Sequence, residues 1–278
     1  MKVRKFIASV WLDAVALIVA VIIFVVPFVF ILLTAAKTRA EAALFEFSWP
    51  SKFQLIENLR EVMAFGNNRM FLALWNSILL TVGSVTLIVL FSAFVAFVMQ
   101  RRRNRVASIV SSFMLAGLII PPAVVPTIFL LQWLGIYKTL FGLIMVEVAL
   151  TMPFAILIFR AFMASIPREI DEAAIMDGAS PFQVFFSIIL PLLQPAIITV
   201  IVTSSVGIYN DFVGPLYFLP GSQNVTAQLT LYSFISQFNS QWNLLFADVI
   251  VVTILPLIMF MFFQRQIVSG MTGGAIKG

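Results

Sequence analysis

The chain has 278 residues, of which 62% are hydrophobic and only 10% charged, and its mean hydropathy is +1.07. Soluble domains carry far more charge, so this composition points to a membrane protein. Cys and His are absent, as is the phosphate-loop pattern Gly-x4-Gly-Lys-Ser/Thr, which excludes disulfides, thiol chemistry, a typical zinc site, a His general base and any visible means of hydrolysing ATP.

Residues 1–9 carry Lys2, Arg4 and Lys5, and residues 14–36 follow without a charge. Crossing hydrocarbon takes about 20 apolar residues, whereas the apolar part of a cleaved signal is about 7–15 long, so this stretch reads as an uncleaved first span. Residues 37–69 mix Glu41, Glu46, Glu57 and Glu61 with Lys52 and Arg60, broken by Trp49-Pro50 and Asn58. They predict a small extracytoplasmic loop with one or two short helices. Residues 70–100 form the second span, where Asn76 and Ser77 are expected to hydrogen-bond between helices. The span ends at Arg101-Arg102-Arg103-Asn104-Arg105, which marks a cytoplasmic turn. Residues 106–137 are the third span, with Pro121, Pro122 and Pro126 inside it. The carbonyls freed by these prolines need protein or water beside them, so the run is expected to face the bundle interior. Residues 139–163 are the fourth span, holding Glu147 and Pro153, and 196–219 the fifth, holding Tyr209, Asn210, Asp211 and Pro215. A polar outer loop at 220–243 leads to the sixth span at 244–264, with Asp248 and Pro256, and then to a tail at 265–278.

The expected architecture is thus all-α and polytopic, with six transmembrane helices and both termini cytoplasmic. An N-terminal part, 1–69, comprises the stub, the first span and the outer loop, and a core follows at 70–278. Of the Lys and Arg residues, 11 fall in inner segments and 6 in outer ones, the sign expected for positive charge retained inside. The net charge of +5 is therefore a matter of membrane orientation and not of nucleic-acid binding. No internal repeat is visible, unlike the inverted repeats of many secondary transporters.

The polar, signal-rich stretch is residues 172–191, EAAIMDGASPFQVFFSIILP. Ser165 is expected to cap a helix over 168–177 that has Pro167 in its first turn. Gly178 stands where the helix needs a residue tolerant of positive φ. Ser180-Pro181 reads as the N-cap and first position of a second helix through residue 190, interrupted by Pro191 and Pro195. The segment, about 164–195, is a helix, a hard turn and a helix between two apolar spans.

The residues Glu172, Ala173, Ala174, Gly178, Ile188, Leu190 and Pro191 stand at the spacing of the EAA motif. The chain resembles the inner-membrane permeases of binding-protein-dependent ABC importers of the type I, MetI-like fold. Asp177-Gly178-Ala179-Ser180 and the ending Gly-Ala-Ile-Lys-Gly resemble the carbohydrate, maltose-type branch. The resemblance covers about 70–278, and the first span fits by position alone. It implies that the 172–191 loop is a coupling helix docking on a cytoplasmic ABC ATPase dimer, which would bind the ATP and Mg that this chain does not. It also implies a second homologous permease, an extracytoplasmic solute-binding protein and a sugar or polyol as substrate. The chain itself would be no enzyme, would hold no metal or cofactor, and would sit in the lipid of the inner membrane.

Under that resemblance Glu172 meets a basic or polar pocket on the ATPase, the small Ala173 and Ala174 allow close approach, and Asp177 and Gly178 shape the turn. Glu169 and Asp171 are candidate rim charges. An acid within a span usually faces water or a partner, so Glu147 and Asp211, with the neighbouring Asn210 and Tyr209, are candidate pathway residues. Family members often show Trp-Asn-acid-Phe where this chain has Tyr209, Asn210, Asp211 and Phe212. Permeases for amino acids, peptides or phosphate share the EAA motif. An ion-coupled transporter using Glu147 or Asp211 as a proton site is the reading from another class. Single cysteines test the topology: at Asn104 and Ala179 they are expected to label only from the cytoplasm, and at Gln54 and Gln223 only from outside. Labelling of Gln54 from the cytoplasm would overturn the first two spans.

Overall fold

The structure is a computed structural model that describes residues 2–101, 105–221, 224–235 and 240–275, with side chains except at 2–10, 67, 68, 106 and 265–275. Part of the basic run (102–104), Gln223 of the outer loop and the end of the tail (276–278) lie outside the described residues. Regular structure among the described residues is wholly helical.

Helix α1 (Lys2–Ala20) passes through a π-helical turn (Val21–Val25) into α2 (Val26–Ala35). A second π turn (Val184–Ile189) joins α9 (Pro181–Gln183) to α10 (Leu190–Leu192). Each turn ends just before a proline, Pro27 or Pro191. Proline lacks an N–H and crowds the carbonyl four residues back, and a locally widened ladder relieves that clash.

Between these lie α3 (Arg39–Ala42), α4 (Leu55–Arg101), α5 (Arg105–Ile119), α6 (Val124–Trp133), α7 (Leu140–Met163) and α8 (Glu169–Met176). After α10 come α11 (Gln194–Asn210), α12 (Val213–Phe218), α13 (Ala227–Thr230), a 3-10 turn (Leu231–Phe234) and α14 (Trp242–Ala275). Among the described residues, four stretches are long and apolar enough to cross a membrane: Trp11–Ala35, Arg69–Arg101, Leu140–Met163 and Trp242–Gln264. A fifth is Pro181–Leu192 with Gln194–Asn210, bent by 74°.

Several expected boundaries move. Helix α4 starts well before residue 70, because 55–69 contain no proline and their one glycine, Gly66, takes φ +60 without ending the helix. The third span is two helices of 15 and 10 residues, since Pro121-Pro122 stops the ladder between them. Pro121, Pro122 and Pro126 are exposed on this chain and do not face its interior. The fifth expected span breaks at Asp211, and α14 continues into the expected tail as far as Ala275. Asn76 and Ser77 bond the outer loop, not another spanning helix: Asn76 donates to the Val225 carbonyl (3.0 Å), and Ser77 accepts from the Ala227 N–H at the start of α13 (2.9 Å).

The chain forms two compact units, one of residues 1–71 and 230–254, the other of 72–229 and 255–278. The second has a continuous apolar core from α4, α7 and α11, including Leu80, Ile88, Phe159, Ile189 and Val200. The first is organised around polar groups. Asn58, 4% exposed, donates to the carbonyls of Ala35 (2.8 Å) and Lys37 (3.0 Å) and accepts from Asn243 (2.9 Å). Lys37 is itself buried, and its ammonium bonds the Glu46 carbonyl (2.6 Å) and the Ser48 hydroxyl (3.0 Å). Thr38 and Glu41 close α3 with a reciprocal capping box. Hydrogen bonds from the Ser51 side chain first, and also from Thr38, hold the Glu41 carboxyl down at about 2.

Asn58 thus joins the end of α2, the outer loop and the start of α14. Replacing it by Leu strands two carbonyls and an amide, each at a cost of about 1–3 kcal/mol when buried. Asn58→Leu is expected to lower the thermal midpoint of the purified protein by several degrees, with the exposed neighbour Glu57→Ala unchanged. Equal midpoints would show that the network is not holding this unit.

Candidate functional site

The loop after α7 is built from local signals. Ser165 does not cap α8. Its hydroxyl donates back to the Phe162 carbonyl (2.7 Å), and α8 begins after Arg168 without a side-chain cap. Glu169, Asp171 and Glu172 fill the first turn, where negative charge suits the positive end of the helix dipole. At the other end Gly178 takes φ +88. Its N–H donates to the Ile175 carbonyl (3.0 Å) and that of Ala179 to the Ala174 carbonyl (2.9 Å), a Schellman closure that a side chain at positive φ would strain. Ser180 then caps α9 as its sequence predicts. The Ser180 hydroxyl accepts from the Gln183 N–H (3.4 Å), and the Gln183 side chain accepts from the Ser180 N–H (2.7 Å).

Helix α8 has two faces. Asp171 and Ala174 are buried, one turn apart, while Glu172, Ala173, Ile175, Met176 and Asp177 are exposed. Met176 is 87% exposed. The expected rim charges divide accordingly: Glu169 is exposed, but Asp171 is not a rim charge. It pairs with Arg101 at the end of α4, with its two carboxylate oxygens facing Nε (2.5 Å) and Nη2 (3.1 Å). The same guanidinium reaches the Ile166 carbonyl, and Arg168 donates to the Gln100 carbonyl (3.0 Å). Next to this clamp, Phe94 and Phe97 of α4 pack on Phe185 at ring separations of 5.3 and 5.4 Å. A groove of about 510 Å³ is lined by Phe94, Phe97, Ile175 and Phe182 together with Arg101 and Asp171.

The acids expected in a pathway come together only in part. Glu147 of α7 is buried, 8% exposed, and its carboxyl meets that of Asp211. Asp211 in turn accepts from the N–H groups of Val213 (3.1 Å) and Gly214 (2.8 Å), so it caps α12 where α11 has stopped. Asn210 points elsewhere: it is exposed, donates to the Val206 carbonyl (3.0 Å) and accepts from Gln228 (3.0 Å). Tyr209 is buried, 2% exposed. A separate hollow of about 530 Å³ lies among α4, α11 and α14, lined mainly by apolar groups with Thr81, Thr86 and Ser205 among them.

Residues 88–273 match the family described as the inner membrane component of binding-protein-dependent transport systems. The chain belongs to that family. It is a transport permease and not an enzyme, a multi-pass component of the inner membrane, and its family implies an ATPase and a solute-binding protein as partners. A putative ABC transporter permease of Caldicellulosiruptor is 35% identical over 91% of this chain and 92% of its own. A probable permease for starch degradation products from Thermoanaerobacterium thermosulfurigenes is 30% identical over 94% of each. The fold is that of a type I importer permease. A chain of the bacterial ABC transporter that imports the acidic polysaccharide alginate superposes with a TM-score of 0.77, at 19% identity over 95% of this chain and 96% of that one.

Sequence reading missed Arg101, Arg168 and Gly214 as parts of these sites. Arg101 and Asp171 are 70 residues apart, and no spacing rule links them. Gly214 carried a weak signal, a glycine beside a proline just after an acid. A Cβ on Gly214 would overlap Asp211 Oδ2 and lie 3.1 Å from Glu147 Oε1. Overpacking of this kind costs about 1–3 kcal/mol. Gly214→Ala is therefore expected to lower the melting temperature of the purified permease, whereas Gly207→Ala, with open space at its Cβ, leaves it unchanged. Tolerance of Gly214→Ala would mean the acid pair does not depend on close packing.

Proposed function

We propose that this permease forms half of the translocation pathway of an importer for a sugar or related polyol, driven by ATP and Mg held on separate cytoplasmic ATPase subunits. The observation that carries the reading is the outward face of α8. Glu172 and Ala173 are exposed on a helix whose other face is fixed to the chain, and Gly178 ends that helix sharply. An exposed acid next to a small residue suits a partner surface that supplies positive charge and approaches closely. The relatives named for starch degradation products, diacetylchitobiose and melibiose, raffinose and stachyose favour a carbohydrate over amino acids, peptides or phosphate. Family membership weighs against an ion-coupled secondary transporter.

In this reading the loop and both termini face the cytoplasm. A second, different permease completes the pathway, lipid covers the exposed apolar helices, and an external binding protein delivers substrate. ATPase closure moves α8, and the spans alternate between inward and outward access. Ala174 and Asp177 shape α8, and Glu147, Asn210 and Asp211 line or flank the pathway, with Tyr209 beside them in sequence.

The test is made in vesicles with the assembled transporter, measuring retained ATPase, hydrolysis stimulated by binding protein, and uptake. Loss of a charge pair at a desolvated interface costs about 2–5 kcal/mol. Glu172→Lys is therefore expected to release the ATPase or to uncouple its hydrolysis. Gly178→Leu is expected to do the same, because a side chain there must adopt φ +88. Glu169→Ala is expected to have little effect. In the same assay Asp211→Asn reduces uptake with the ATPase retained. A Glu172→Lys protein with normal retention, stimulation and uptake would overturn the coupling role.

A further inference from the structure

Helix α8 is joined by the chain to α7 on one side and, through α9 and α10, to α11 on the other. Its attachment to α4 is made by side chains. We propose that the Arg101–Asp171 ion pair is the joint through which displacement of α8 is passed to α4, so that the second span moves with the loop. This rests on α8 being the helix that the ATPase moves.

The geometry has the character of a joint. Arg101 Nη2 donates to Asp171 Oδ1 (3.1 Å) while Nε lies 2.5 Å from Oδ2, and the same guanidinium reaches the Ile166 carbonyl, so one charged group holds both the carboxylate and the loop backbone. Both side chains are mostly withdrawn from water, at 14% and 12% exposure, so the attraction is less screened than that of a surface pair. The tie runs both ways: Arg101 of α4 holds Asp171 and the Ile166 carbonyl, and Arg168 of the loop holds the Gln100 carbonyl of α4. Asp171 and Ala174 form the inner face of α8, while the proposed docking residue Glu172 points outward. The pair is therefore spatially separate from the docking surface and can be altered without touching it. Arg101 and Asp171 are positioning residues, and they act through α4 and not on substrate.

The chain has no cysteine of its own, so spin labels can be placed at Phe91→Cys on α4 and Glu169→Cys on α8, both at exposed positions. Their separation is measured in the whole transporter, nucleotide-free and trapped with ATP and vanadate. With the pair intact, the separation is expected to be the same in both states. In Arg101→Gln and in Asp171→Asn it is expected to change or broaden on trapping, and uptake per ATP hydrolysed is expected to fall about tenfold, a typical coupling effect. The swap of Arg101→Asp with Asp171→Arg is expected to bring uptake per ATP back to within about threefold of the native value. An unchanged separation and unchanged uptake per ATP in Arg101→Gln would overturn the joint. So would a swap no better than the single variants, or loss of the ATPase from the single variants, which would place the pair in the docking surface itself. Failure of the docking reading shows separately, in Glu172→Lys.

Discussion

Hydrocarbon offers a peptide group nothing to bond, so each backbone N–H and C=O inside a bilayer must find its partner within the protein. Much of this chain's irregularity answers that demand. The ladder widens into a π turn ahead of Pro27 and again ahead of Pro191. Where α11 ends, the Asp211 carboxylate takes up the N–H groups that open α12. Where α2 gives way to the outer loop, the Asn58 amide takes two carbonyls. A side chain repairs each of the last two breaks, and these repairing residues are among the buried or half-buried polar groups that composition alone marks as out of place.

Local features were legible in the sequence. The turn at Gly178 and the cap at Ser180 follow from residues within a few positions of one another, and both are found, whereas the described residues hold four or, with the bent pair, five of the six expected spans. Continuity was harder. Hydropathy averages over a window and cannot see that Pro121-Pro122 cuts the third span or that α11 stops at Asn210. It also undervalues residues 55–69, whose charges lie on the exposed side of a helix that buries Asn58 and Val62. Ser165 does not cap because its hydroxyl, which could accept from an N–H of the following helix, donates back to the Phe162 carbonyl of the preceding one. Least visible were contacts between residues far apart, such as Arg101 with Asp171 and Glu147 with Asp211. Arg101 reads as the first of a basic run, Asp171 as one of three acids in a short helix, and Glu147 and Asp211 as lone acids in apolar spans.

The two alanines of the EAA motif show how one composition serves two surfaces. Successive helical residues are turned by about 100°, since 3.6 fill a turn, so Ala173 and Ala174 face different neighbours. Ala174 is buried with Val184 and Phe185 in the chain's own core, while Ala173 is exposed beside Glu172. The smallness of Ala174 is a requirement of this chain's packing. That of Ala173 is left to a surface outside it.

The stretch Trp11–Ala35 is the most apolar of the spans, and none of its most apolar window is buried inside the chain. Partition holds most of it in a bilayer, and its far end is tied to the fold by Phe30 against Phe47 and Phe246 and by Asn58 on the Ala35 carbonyl, so most of it can settle there before later segments are made. Helices α5 and α6 are the opposite case. At 15 and 10 residues each falls short of the bilayer's thickness, and they become secure once α7, on which α5 packs, and α12, on which α6 packs, have been made after them. The segment least dependent on the fold thus precedes the dependent ones and can anchor the chain while they are assembled behind it.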